Sequence, residues 1–116
     1  MAREPGQATA RPEVPEGMAV YYLGLLLRGP AWTAEQTPEV ERLQAAHQAH
    51  LRRLRESGKL VIMGPLLDDG QIRGVSVFRV DSPEEALALM TSDPAVQAGR
   101  LVCEVHPWMA PRGILP

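Results

Sequence analysis

The stretch from Met18 to Arg28, MAVYYLGLLLR, is apolar on both of its alternating faces, and this restricts the possible folds more than any other feature. Its tyrosines, valine and leucines, followed by Gly29-Pro30, predict a β-strand. Because successive side chains of a strand point to opposite faces, both faces of this strand must be covered by protein. A chain of 116 residues forms one domain, so that cover has to come from few elements.

Residues 37–58 are predicted to form the first helix. Thr37 suits the N-cap and Pro38 the first helical position, while Ser57-Gly58 ends the helix. At about 100° per residue, His47 falls on the mean direction of an aliphatic stripe. The stripe consists of Val40, Leu43, Leu51 and Leu54. A histidine at the centre of such a stripe needs a hydrogen-bond partner, so His47 is predicted to face the core or a cavity beside it.

Three more strands and a second helix follow. Strands are predicted for residues 59–67, 71–80 and 100–106. Residues 68–70 have the composition of a turn, Asp-Asp-Gly, which joins the first two of these strands. Ser82 and Glu85 form a capping box at the start of a short helix, which Asp93-Pro94 interrupts. The order β-α-β-β-α-β predicts a ferredoxin-like α+β fold.

Two helices can cover only one face of a four-stranded sheet. The other face of the first strand then has to be covered by another sheet, and a second copy of the chain is the simplest source, so a homodimer is expected. The predicted organisation is a flexible leader at residues 1–17, one domain at residues 18–110 and a tail at residues 111–116.

Composition excludes several classes of function. A net charge of −2 and an aromatic content of 4% argue against binding to nucleic acid, which requires a basic surface or a stacking platform. The apolar run at residues 18–27 is half of the roughly 20 residues that a membrane span needs, so no membrane association is expected. The single cysteine fits a reducing compartment, and a cytoplasmic location is expected.

The candidate chemistry centres on His47. Imidazole can gain or lose a proton near neutral pH, so His47 is a candidate general acid or base, with Asp68 as the first candidate for its carboxylate partner and Asp69 as the second. The alternative is a buried histidine with a purely structural hydrogen bond, next to an ordinary turn. His47 and His50 lack a third ligand at a telling spacing, and the glycines do not form a phosphate loop, so neither a metal nor a cofactor is expected.

An ordered set of short motifs resembles the YCII-related (YciI-like) family over about residues 18–109. The set comprises His47-x3-Leu51-x2-Leu54, Gly58-Lys59-Leu60, Gly64-Pro65-Leu66-x-Asp68, Ser82-x-Glu84-Glu85-Ala86, Asp93-Pro94 and His106-Pro107-Trp108. The resemblance implies a dimeric α+β barrel with a His–Asp pair in a pocket between the sheet and the first helix. The family's histidine falls on His47 by its spacing to Gly58, and its aspartate falls on Asp68 by its spacing from Gly64-Pro65.

The same resemblance implies a lyase- or isomerase-like activity on a small cyclic oxygenated compound. The alternative function is a non-catalytic module that binds a small molecule or forms a dimeric assembly. A cavity around His47 that reaches solvent would favour the enzyme, whereas a sealed core would favour the module.

Overall fold

A computed structural model describes residues 12–116, so the predicted leader lies outside the described residues as far as residue 11. Four strands and three helices follow one another along the chain. They are β1 (Met18–Arg28), α1 (Pro38–Glu56), β2 (Leu60–Pro65), β3 (Ile72–Phe78), α2 (Pro83–Thr91), α3 (Pro94–Gln97) and β4 (Leu101–Pro111). In this part of the chain no helix is long and apolar enough to cross a membrane.

The four strands form one antiparallel sheet in the order β2-β3-β1-β4. The apolar strand β1 is central, paired with β3 on one side and β4 on the other. This arrangement confirms the predicted ferredoxin-like α+β fold. It follows from the sequence because only a central strand needs apolar residues on both of its faces.

Helix α1 begins and ends where its capping residues predict. The side chain of Thr37 accepts a hydrogen bond from the backbone N–H of Val40 at 3.2 Å, and Pro38 occupies the first helical position. The buried residues of α1 are Val40, His47, His50 and Leu54. The buried side of the helix therefore carries two histidines, and it packs above the sheet.

The two faces of the sheet differ in their cover. The face under the helices carries the largest fully buried side chains, Tyr22 and Phe78. On the opposite face, a smaller cluster of Tyr21, Val77 and Ala110 is buried. Three apolar side chains on this opposite face remain largely exposed: Ile62 at 50%, Val102 at 42% and Trp108 at 42%. Within one copy of the chain, this face is thus only partly covered.

Strand β4 is longer than predicted. The sequence predicts that it ends at His106 before Pro107-Trp108, but it continues to Pro111, paired with Met18. The reason is its position at the edge of the sheet, where β1 is its single neighbour in the described chain. A proline without a backbone N–H is tolerated in an edge strand.

Candidate functional site

A cavity of about 290 Å³ lies between α1 and the sheet, and it is open to solvent on one side. Its wall on the α1 side includes Gln44, His47, Gln48 and Leu51. Its floor on the sheet includes Leu26, Gly74 and Ser76. Along the strand direction, Met63 of β2 lies toward one end of the cavity, and Arg73, Arg100 and Trp32 lie toward the other. The volume suits a single-ring compound rather than a large cofactor.

His47 lines this cavity and is bonded to a carboxylate behind it. His47 is 8% exposed, and its Nδ1 is hydrogen-bonded to Oδ2 of Asp93. Asp93 is 2% exposed and does not line the cavity, although His47 does. An ionised carboxylate can only accept, so Nδ1–H of His47 is the donor. The ring therefore stands between a buried anion and the cavity.

Asp93 is fixed in place by the helix that it begins. It is the N-cap of α3, and its Oδ1 accepts the backbone N–H of Ala95 at 2.9 Å. Burial by itself raises the pKa of Asp93. The hydrogen bonds from His47 and Ala95, with the charges of His47 and His50, outweigh burial and hold that pKa below its ordinary value. Asp93 is therefore an ionised partner for His47 at neutral pH.

The structure does not bring Asp68 to His47. Asp68 is exposed in the turn between β2 and β3, and no hydrogen bond or ion pair joins it to His47 among residues 12–116. The sequence predicts that β2 extends to residue 67, whereas the strand ends at Pro65. The carboxylate is therefore carried outward on the turn. The second candidate, Asp69, is bound by Arg28 at 2.9 Å and by Arg73 at 3.3 Å.

His50 and Cys103 have surroundings that favour structural roles. Nε2–H of His50 donates to the carbonyl of Leu89 at 2.8 Å, which joins α1 to the end of α2. Burial, reinforced by the charge of Asp93, raises the pKa of the Cys103 thiol, so the thiolate form is disfavoured. Within the described residues no three His, Cys, Asp or Glu side chains are grouped so that they could hold a metal ion.

Three arginines surround the indole of Trp32 at the end of the cavity. The guanidinium carbon lies 4.3 Å from the ring centre for Arg100, 4.9 Å for Arg73 and 5.4 Å for Arg28. Arg73 and Arg100 line the cavity, and Arg28 does not. Trp32 lies in the loop after β1, and it packs against the main hydrophobic core as well as against these guanidinium groups.

Sequence reasoning missed Asp93, Arg73 and Arg100 as site residues. The Asp93-Pro94 pair does indicate that Asp93 caps a helix, because aspartate before proline is a typical helix start as well as a helix interruption. It locates a buried cap without showing that this cap lies against His47, 46 residues earlier. For Arg73 and Arg100, no spacing or motif distinguishes them from surface arginines.

Comparison with known proteins points to one family. The family model described as YCII-related domain matches residues 25–109. The structure is similar to a solved 5-chloro-2-hydroxyhydroquinone dehydrochlorinase from Burkholderia phenoliruptrix in complex with 2,5-dihydroxybenzoquinone. The TM-score is 0.57 at 23% identity, over 76% of this chain and 92% of that one. The chain matches none of the curated proteins with which it was compared.

Proposed function

The chain belongs to the YCII-related family, and from the buried His47–Asp93 contact we propose that it is a small acid–base enzyme. The single observation that carries the proposal is the position of the His47 ring. One side is bonded to an ionised carboxylate, and the ring also lines a cavity that is open to solvent. A histidine that served only the core would not need to line an open cavity.

The contact with Asp93 determines which nitrogen can act. Nδ1–H donates to Asp93, so the neutral ring carries its free lone pair on Nε2. In the proposed step, Nε2 takes a proton from a C–H bond beside a substrate carbonyl, and the electron pair of that bond forms an enolate. Asp93 stabilises the resulting imidazolium. Return of the proton to another carbon gives an isomer, and loss of a leaving group from the adjacent carbon gives an elimination product.

The proposed substrate class is supported by the lining of the cavity. Leu26, Leu51 and Met63 supply apolar walls, and Ser76 supplies a hydroxyl on the floor. The neighbouring structure is of a dehydrochlorinase with a hydroxylated quinone bound. At 23% identity this likeness shows the fold alone, so a small cyclic oxygenated substrate and a lyase- or isomerase-like reaction belong to the proposal. The predicted catalytic role of Asp68 stays a prediction that competes with Asp93.

The proposed enzyme is a homodimer whose copies meet through the sheet face opposite the helices. The support is the exposure of Ile62, Val102 and Trp108 on that face, next to the buried cluster of Tyr21 and Val77. A second copy of the same face would remove these apolar side chains from water. The predicted cytoplasmic location rests on the single cysteine, and it stays a prediction.

A second candidate is a non-catalytic module that binds a small molecule. It is favoured by the cap that Asp93 provides to α3, since the same carboxylate could serve only to hold α1 against α3. In that case the His47–Asp93 bond would contribute to stability and not to turnover. The cavity would then bind a ligand without changing it.

The experiment that separates these candidates compares two buried histidines of the same helix. Hydroxylated quinones and cyclic ketones are incubated with the protein in D₂O, and deuterium incorporation, isomerisation and elimination are followed by NMR. We expect His47→Gln to lose about 10²-fold or more in rate, as for removal of a general base. The matched control is His50→Gln, which removes a buried imidazole that does not line this cavity.

We expect the His50→Gln variant to lose some stability and to keep its turnover per folded molecule. No detectable turnover by the parent, with ligand binding that is unchanged in both variants, would favour the binding module. Turnover at equal rates in the parent and both variants would contradict the role of His47 as the general base. Equal losses in both variants would indicate a general effect of helix α1 and would contradict a specific role of His47.

A further inference from the structure

We infer that the ligand of this cavity carries an anionic oxygen group, which Arg73 and Arg100 bind at the Trp32 end. The group is a carboxylate or an ionised ring hydroxyl, since both present oxygens that a guanidinium can bind. The inference deepens the proposed function and rests on it for the identity of the reacting end, at His47. It concerns recognition of the substrate rather than proton transfer.

The first observation is that Arg100 forms no ion pair with any carboxylate among the described residues. This residue is 6% exposed, and its Nη1–H donates to the backbone carbonyl of Thr33 at 2.8 Å. No carboxylate within the described residues forms an ion pair with it. A guanidinium has five N–H donors, and a buried cation without a counter-charge is costly. Because Arg100 lines the cavity, an anion in the cavity is the partner that would offset this cost.

The second observation is the charge balance around Trp32. The ion pairs of the three surrounding arginines within residues 12–116 all go to one carboxylate, that of Asp69. Asp69 is 91% exposed in its side chain and is shared between Arg28 and Arg73. Arg73 makes one further hydrogen bond, from Nη1–H to the carbonyl of Gly70 at 3.3 Å. Three guanidiniums and one solvated carboxylate leave this end of the cavity positive.

The third observation is that Trp32 fixes the cations in place. An aromatic face holds a guanidinium by cation–π attraction and by stacking, which limits the orientations of an otherwise flexible side chain. Arg100 is closest to the ring centre, at 4.3 Å. A preorganised cation binds an anion with less loss of conformational entropy than a free surface arginine does. Trp32 thus has a positioning role.

Both ends of the cavity are within reach of one small molecule. Arg73, Arg100 and His47 all line the same space of about 290 Å³. The anion held at the arginines would set the orientation of the ring compound, and that orientation would determine which of its protons faces His47. A bound ring compound would displace water from the apolar walls of this space, and this would strengthen the charge interaction.

The test measures binding of two charged probes against uncharged analogues. Benzoate is compared with benzamide, and 4-nitrophenolate with 4-nitroanisole, by NMR titration of the full chain. We expect the parent to bind at least one anion about tenfold or more tightly than its neutral analogue, with an affinity that falls as salt is raised. Preference for benzoate alone assigns a carboxylate, and preference for 4-nitrophenolate alone assigns an ionised hydroxyl.

Arginine variants then locate the preference. We expect Arg73→Gln and Arg100→Met each to remove most of the preference for the anion over its neutral analogue. Arg100→Lys, which keeps the positive charge, should retain part of that preference. The matched control is Arg28→Gln, which removes a cation from the same indole without removing one from the cavity lining. Equal binding of charged and neutral probes by the parent would overturn the inference. An equal loss in Arg28→Gln would also overturn it, because it would mean that the arginines only hold Trp32 in place.

Binding and turnover test the anion site and the acid–base enzyme independently. Binding of these anions needs no proton transfer, so His47→Gln should keep the preference for anions. If the preference is found and no turnover is ever detected, the acid–base enzyme is wrong and the anion site stands. If turnover depends on His47 but neutral substrates react as well as anionic ones, the enzyme stands and the anion site is wrong.

Discussion

The carboxylate of Asp93 makes two different bonds, one to the side chain of His47 and one to the backbone of its own helix. Oδ2 accepts from Nδ1–H of His47, and Oδ1 accepts the N–H of Ala95 at 2.9 Å. The orientation of the imidazole is therefore tied to the first turn of α3. This link joins α1 to α3 across 46 residues of sequence, and it can be tested by separating the two roles.

Replacing Asp93 by asparagine tests the charge while keeping a residue that can cap a helix. We expect Asp93→Asn to lower the free energy of unfolding by roughly 1–3 kcal/mol, because a buried hydrogen bond to a charged group is lost. Asp68→Asn, on the exposed turn, should change it by less than about 0.5 kcal/mol. Urea unfolding measures both. If Asp68→Asn loses turnover and Asp93→Asn keeps it, the result would favour the pairing of His47 with Asp68 that the sequence predicts.

The lowered pKa of Asp93 predicts how stability depends on pH. Unfolded aspartate takes up a proton near about pH 3.9, whereas folded Asp93 stays ionised to a lower pH. In that window the unfolded chain binds more protons, so the free energy of unfolding falls as the pH falls. The contribution is complete above about pH 4 and is lost as the pH drops through the folded pKa.

The measurement is urea unfolding of the parent and of Asp93→Asn at about pH 5 and about pH 3. We expect the stability difference between the two proteins to shrink at the lower pH. A stability difference that is the same at both pH values would contradict the prediction, because it would mean that folding does not stabilise the ionised form of Asp93. Glu85 also has a lowered pKa, through its hydrogen bond with Lys59, but that pair is at the surface and its effect is screened by solvent.

The proposed dimer can be tested with two apolar residues of equal exposure. Val102 on the open sheet face and Leu87 on helix α2 are both 42% exposed. We expect Val102→Glu to raise the dimer dissociation constant roughly 100-fold or more, because it buries an unpaired carboxylate between the sheets. Leu87→Glu should leave it unchanged. Sedimentation equilibrium measures both, and a parent that is monomeric at micromolar concentration would contradict the dimer.

A close backbone contact beside the arginines makes Gly29 sensitive to substitution. A methyl group there would overlap the carbonyl oxygen of Gly99 and lie 3.0 Å from the carbonyl carbon of Arg100. We expect Gly29→Ala to cost roughly 1–3 kcal/mol of stability, because backbone and not a flexible side chain has to move. Gly64→Ala is the control, since a methyl group at Gly64 meets nothing within 4 Å. Thermal unfolding of both variants decides the point.

Most of the fold follows from local features of the sequence. The N-caps at Thr37 and Ser82 and the doubly apolar strand β1 each have a direct physical meaning, and together they indicate the element order. The end of β4 does not follow, because the tolerance for Pro107 depends on its place at the edge of the sheet. Edge position is a property of the assembled sheet.

The site could be predicted only in part. The stripe on α1 locates His47 correctly at a buried position that lines a cavity. Its carboxylate partner lies near it through the packing of α3 against α1, which no local spacing encodes. The arginines around Trp32 meet because β3, β4 and the loop after β1 converge at one end of the cavity. Such convergence becomes visible only in three dimensions.

The prolines in the outer strands limit how copies of this chain can aggregate. In the described sheet, β2 pairs with β3 alone and β4 pairs with β1 alone, so these two strands form its edges. Pro65 ends β2, and Pro107 and Pro111 lie in β4. Each removes a backbone donor that an incoming strand would need. Edge-to-edge growth of the sheet into fibres is therefore disfavoured on both sides, even though one of its faces is apolar.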